Sequence, residues 1–135
     1  MANKKDDLIA PPPDGLAFLQ KTYVAGVHYH DFAGGDLPLD PGAPVELRRE
    51  PDNPYDERAI EIYTLDDVKL GYIPAKRNKY LARLLDAGLQ LPARLERVDS
   101  PERLADPPRH ARPKLDVAVF VARPETSRDH FVFPY

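Results

Sequence analysis

Between Arg49 and Ile62 the chain reads Arg-Glu-Pro-Asp-Asn-Pro-Tyr-Asp-Glu-Arg-Ala-Ile-Glu-Ile. Pro51 and Pro54 bar this run from a helix or a central strand, and Asp52, Asn53 and Asp56 hydrogen-bond readily to their own backbone. The segment is therefore forced into a stiff turn. On either side the apolar residues alternate: Val45 and Leu47 before it, Ile60 and Ile62 after it. Period-two alternation predicts strands, so the turn joins a hairpin. It gathers Asp52, Asn53, Tyr55 and Asp56 in a short space, which is more hydrogen-bonding chemistry than a connection needs. Tyr55 is read as a packed aromatic closing the turn.

The remaining elements are short. Lys21–Tyr29 alternates, and the more apolar set of Tyr23, Ala25, Val27 and Tyr29 is expected to face the core, with Thr22, Val24, Gly26 and His28 opposite. Lys69–Ile73 predicts another strand. Pro74 suits the first turn of a helix, which is expected from about Ala75 to Ala87 with Arg77, Tyr80, Leu81, Leu84 and Leu85 on one stripe. Gly88 ends it, where a left-handed backbone costs little. Leu89–Val98 resumes strand alternation. Lys114–Ala122 is apolar on both faces and predicts a buried strand. Six strands and one helix, without a repeating βαβ order, predict a mainly β protein: a partly open, OB-like small barrel with the principal helix over one end. The expected organisation is an N-terminal Pro-rich arm over 1–19, one barrel domain over 20–122 with a Pro-rich loop at 99–113, and a C-terminal tail over 123–135.

At 135 residues the chain can bury one core. It has no cysteine, so disulfides and thiolate metal sites are excluded. No apolar run approaches the ~20 residues of a membrane span, and the N-terminus lacks the apolar stretch of a secretory signal. The expectation is a cytoplasmic protein without membrane contact, nucleoid-associated if it binds DNA. The net charge of −3 is unevenly spread. Lys69–Arg97 holds seven basic residues against two acidic, whereas Glu46–Glu61 holds three against six. The basic part is the helix region.

Three stretches together resemble the HIRAN domain: Thr22-Tyr23-Val24-Ala25-Gly26-Val27, the run from Leu47 through the Asn53-Pro54-Tyr55-Asp56 turn to Ile60, and Leu70-Gly71-Tyr72-Ile73-Pro74 with the helix after it. The resemblance covers about residues 20–98 and is of the free-standing bacterial type, since no phosphate loop of a motor ATPase is present. It implies a modified OB-like barrel. In the ATPase-linked form of the family the domain grips the 3′-hydroxyl end of single-stranded DNA. The resemblance carries Asn53 and Asp56 over as residues that hold the strand end. The early-strand arginine and two tyrosines of that form fall at His28, Tyr29 and His30, so two of the three are replaced. A histidine can stack, and meets a phosphate only when protonated.

The expected site is a 3′-end pocket of His28, Tyr29, His30, Asn53, Asp56 and Tyr72. Lys76, Arg77, Lys79 and Arg83 would contact phosphate, with no metal and no cofactor. A carboxylate accepts the proton of a terminal hydroxyl and repels the phosphate of a continuing chain. An aromatic ring offers a stacking face, and the basic side chains set affinity without reading sequence. The expected function is a non-enzymatic module for single-stranded DNA or DNA 3′ ends in repair or replication-fork processing, with a repair or helicase protein as a further partner. Against this stand a protein–protein adaptor on the same barrel, in which Asn53 and Asp56 only hold a turn, and a metal-dependent nuclease built on Asp52, Asp56 and Glu57.

Overall fold

The computed structural model describes residues 11–27, 39–99 and 115–123. In chain order the elements are β1 (Leu16–Tyr23), β2 (Pro44–Arg49), β3 (Ile60–Thr64), β4 (Lys69–Tyr72), a 3-10 turn (Ala75–Arg77), α1 (Lys79–Asp86), β5 (Ala93–Val98) and β6 (Leu115–Ala122). The strands form one six-stranded sheet in the order β1-β6-β5-β2-β3-β4, with every pairing antiparallel.

The sheet curls until its two edges meet. Beyond β1, Val24 N–H donates to the Leu115 carbonyl on β6 (2.8 Å), and Ala25 then exchanges two 2.8 Å hydrogen bonds with Tyr72 at the end of β4. Gly71 makes that approach possible. A Cβ there would run into the Ala25 carbonyl oxygen and lie 2.7 Å from Val24 Cγ1. Inside the closed sheet Val24, Val45, Leu47, Ile60, Ile62, Leu70, Leu95, Val117 and Val119 are buried together. Leu81 and Ala82 of α1 join this core, with Leu84 and Leu85 packed against it, so the helix plugs one end. β6 is buried on both faces, as its composition predicts. The ring of Phe120, on the outer side, is covered edge-on by Phe18 (6.3 Å, 74°) and by the Arg94 guanidinium (4.8 Å).

Three local expectations are corrected. The first strand lies over Leu16–Tyr23 rather than 21–29, and its buried side is Thr22 and Val24. A register irregularity between Phe18 and Gln20 and the crossover at Val24 decide the face, not the count of apolar residues. The helix is not continuous from Ala75. Asn78, fully buried, separates a 3-10 turn from an eight-residue helix whose buried face is centred on Leu81 and Ala82, which leaves Tyr80 at the edge of that face and 70% exposed. The last strand before the Pro-rich segment begins at Ala93 rather than Leu89. Gly88 does terminate the helix, with φ +91°. The expected 99–113 loop beyond Asp99, the 1–10 part of the arm and the tail beyond Arg123 lie outside the described residues.

Gly71→Ala is expected to destabilise the fold by ~1–3 kcal/mol through overpacking at the closure, read as a lower urea midpoint.

Candidate functional site

The turn between β2 and β3 is built from its own backbone. Glu50 N–H donates to the Ala59 carbonyl (2.9 Å) as the last rung of the hairpin, and Asn53 N–H donates to the Glu50 carbonyl (3.1 Å). The Asn53 side-chain oxygen accepts from the amides of Tyr55 (2.8 Å) and Asp56 (3.1 Å), and one Asp56 oxygen accepts from the Arg58 amide (2.9 Å). These are Asx-type closures, which is why this residue pattern turns here. Tyr55 is 95% exposed rather than packed against the turn.

Three further contacts fasten the turn to the barrel. The second Asp56 oxygen accepts from Asn78 Nδ2 (2.8 Å), which ties the turn to the break before α1. Asn78 Oδ1 is buried without a partner among the described residues. Arg49 reaches Asp86 on α1 with Nε (2.9 Å) and Nη2 (3.3 Å), and donates to the carbonyls of Ala59 (2.7 Å) and Glu57 (2.9 Å). Glu50 accepts from Asn53 Nδ2 (2.5 Å) and from the Tyr72 hydroxyl (3.3 and 3.4 Å to its two oxygens). That hydroxyl in turn accepts from Lys69 Nζ (2.7 Å), which pairs with Glu61 (3.1 Å).

The Asn53 amide holds the Glu50 carboxyl below the ordinary glutamate range against the opposing effect of burial, with Glu61, Lys69 and Tyr72 adding to the lowering. Burial disfavours the charged Lys69, but its bonds to Tyr72 and Glu61 outweigh this and raise its pKa. Burial, then the bond to Glu61, raises the Tyr63 phenol. Glu50 therefore stays a carboxylate well into mildly acidic solution.

Beside the turn lies a cleft of about 570 Å³, lined by Ala25, Gly26, Tyr72 and Ile73 from the barrel closure and by Glu50, Asn53, Pro54, Tyr55 and Asp56 from the turn, with Ala59 and Ala75 between them. Its charged lining residues are two carboxylates, Glu50 and Asp56, and among the described residues no cation lines it. Asn53, Asp56 and Tyr72 of the expected site thus converge. Lys79 and Arg83 line a separate groove on the far side of the turn. Lys76 and Arg77 are exposed on the 3-10 turn next to Ala75, in the lining of neither. His28, Tyr29 and His30 lie outside the described residues. Among the described residues no group of three or more acidic or histidine side chains could hold a metal, and no helix is long and apolar enough to cross a membrane.

Sequence reasoning missed Glu50 as a lining residue, the exposure of Tyr55, and Asn78. The signal for Asn78 was present, since asparagine ahead of a helix is a common cap. Its side chain makes no cap bond and goes to Asp56 instead. That partner is 22 positions away.

The family model of the HIRAN domain matches residues 18–108. Among solved structures, a protein from Lactobacillus plantarum is 28% identical, with a TM-score of 0.63 over 78% of this chain and 94% of that one. The crystal structure of the HIRAN domain of human HLTF is 18% identical, with a TM-score of 0.59 over 86% of each chain. No curated protein matches.

Two outcomes are expected for the turn. Asp56→Ala leaves the buried Asn78 amide unpaired and lowers stability by ~1–3 kcal/mol in urea melts, whereas Asp56→Asn keeps an acceptor and costs less. Glu50 has a folded pKa depressed below its ordinary value of 4.5. Its contribution is thus complete above that value and lost as pH falls through the folded pKa. Glu50→Gln should flatten this acid limb in melting temperature against pH.

Proposed function

The chain belongs to the HIRAN domain family, in general a DNA-binding module, and we propose that it is a non-enzymatic module that takes the 3′-hydroxyl end of single-stranded DNA into the cleft beside the Asn53–Asp56 turn. The observation that carries this reading is the composition of the cleft. It pairs apolar walls and an exposed tyrosine with two carboxylates and, among the described residues, no cation. A phosphate entering there meets two carboxylates, Glu50 partly offset by Lys69 behind the Tyr72 hydroxyl and Asp56 with no cation among its described partners. A terminal nucleoside is neutral, has a flat face for Tyr55, and has a hydroxyl that a carboxylate accepts.

The hydrogen-bonding capacity left over supports the same ligand. Asn53 Nδ2 uses one N–H on Glu50 and keeps a second. Each Asp56 oxygen accepts one described bond and has another lone pair. The residues that hold the turn can therefore also touch a ligand, and the two roles are compatible. Outside the cleft, Lys76, Arg77, Lys79 and Arg83 supply phosphate contacts, which add affinity without sequence preference. His28, Tyr29 and His30 complete the pocket in this reading. A place in repair or fork processing, beside a repair or helicase protein, follows from that ligand.

The same acidic, aromatic cleft also suits a cationic side chain of a protein partner, which is the adaptor reading. Fluorescence anisotropy with one labelled oligonucleotide carrying either a 3′-hydroxyl or a 3′-phosphate separates the two. The hydroxyl form should bind more tightly, and equal binding of both would remove the end-specific reading. Failure of both to bind at low salt would leave the adaptor. Tyr55→Ala should weaken binding of the hydroxyl strand by ~1–3 kcal/mol, the range for one stacked base, with the melting temperature unchanged.

A further inference from the structure

The eight residues from Pro51 to Arg58 form a wall between two depressions of opposite charge. On one side is the acidic cleft. On the other is a groove of about 380 Å³ between the turn and α1, lined by Arg49, Pro51, Glu57, Arg58, Lys79, Ala82, Arg83 and Asp86. Arg49 and Asp86 neutralise each other across its floor (2.9 Å). That leaves Arg58, Lys79 and Arg83 against Glu57. All three cations are exposed, and among the described residues none of them is paired with a carboxylate. Arg58 is the new member. In the sequence it looks like one charge in an acidic run, and only the fold sets it beside two helix residues more than 20 positions away.

We propose that this groove holds the phosphodiesters next to the strand terminus, with Arg58, Lys79 and Arg83 as their ligands, so that the strand leaves the cleft by crossing the turn. The inference rests on the end-binding reading above. At its base the wall is a single strand pair, closed by the Glu50–Ala59 hydrogen bond of 2.9 Å. A 3′-terminal nucleoside carries phosphate on one side only. Repulsion from Glu50 and Asp56 and attraction to Arg58, Lys79 and Arg83 both drive that phosphate over the wall. Lys76 and Arg77 offer exposed charge but line no groove. Their contribution is non-specific screening farther along the strand.

The test replaces the last two phosphodiesters of a 3′-hydroxyl oligonucleotide with uncharged methylphosphonates and compares anisotropy titrations of the wild type, Arg58→Ala/Arg83→Ala and Lys76→Ala/Arg77→Ala. Neutralising two contacted phosphates should weaken the wild type about tenfold at low salt and reduce the salt slope by about 1.4. The Arg58→Ala/Arg83→Ala protein should bind the native strand about as weakly as the wild type binds the methylphosphonate strand. Its sensitivity to the replacement should shrink to the remainder that Lys79 supplies, while it keeps its preference for 3′-hydroxyl over 3′-phosphate. The Lys76→Ala/Arg77→Ala protein should remain sensitive. Both altered residues are exposed and unpaired among the described residues, and Lys79→Ala provides an independent single change. Undiminished sensitivity in Arg58→Ala/Arg83→Ala, or wild-type affinity for the native strand, would overturn the proposal. Sensitivity that maps to the groove without any 3′-hydroxyl preference in the wild type would keep the groove and discard the end reading.

Discussion

The meeting of the two sheet edges at Ala25 and Tyr72 is the contact on which the rest of the molecule depends. It consists of two backbone hydrogen bonds, and the missing Cβ of Gly71 is what lets them form. Without it, β1 would remain paired only with β6, and the core residues of β3 and β4 would lose their cover. The same contact builds the site. Ala25, Gly26 and Tyr72 all line the cleft, so its back wall is the closure itself. Tyr72 then passes the geometry on: its hydroxyl reaches Glu50, which holds the Asn53 amide, which orders the turn.

That chain of contacts also lets one set of residues hold the turn and line the candidate site. Asn53 and Asp56 spend hydrogen bonds on the turn, on Glu50 and on Asn78, and such commitments fix their orientation rather than exhaust them. A polar group locked by its neighbours loses little further freedom when a ligand arrives, so it recognises more sharply. Tyr55 is the opposite case. Among the described residues its one hydrogen bond is through its backbone amide, and its ring is 95% exposed. Segregation of charge does the remaining work. Glu50 and Asp56 line the cleft with no basic residue beside them in its lining among the described residues, while Arg49 and Asp86 bind the turn to α1 where the groove is lined by more cations than carboxylates.

Much of the architecture was legible from residue order. Alternation at Val45–Leu47 and Ile60–Ile62, the prolines between them, the doubly apolar run of β6 and Gly88 after the helix each act through local rules of backbone and side-chain geometry. The errors fall where a distant partner overrides such a rule. The stripe through Tyr80 followed the apolar count, but the face that packs on the barrel core is centred on Leu81 and Ala82 and leaves Tyr80 at its edge in water. The face of β1 was assigned from apolarity, but the crossover to β4 chose Thr22 and Val24 for the interior.

The site divides in the same way. Asn53 and Asp56 were identifiable because the turn is a property of a few consecutive residues, whose Asx closures need nothing from the rest of the chain. Tyr72 was among the expected site residues, whereas Glu50 and Arg58 acquire their places only beside residues more than 20 positions away. One-dimensional order reveals backbone preference and hydrophobic period because both are local. It does not reveal which charges will share a cleft, because that depends on how the sheet curls and where its edges join.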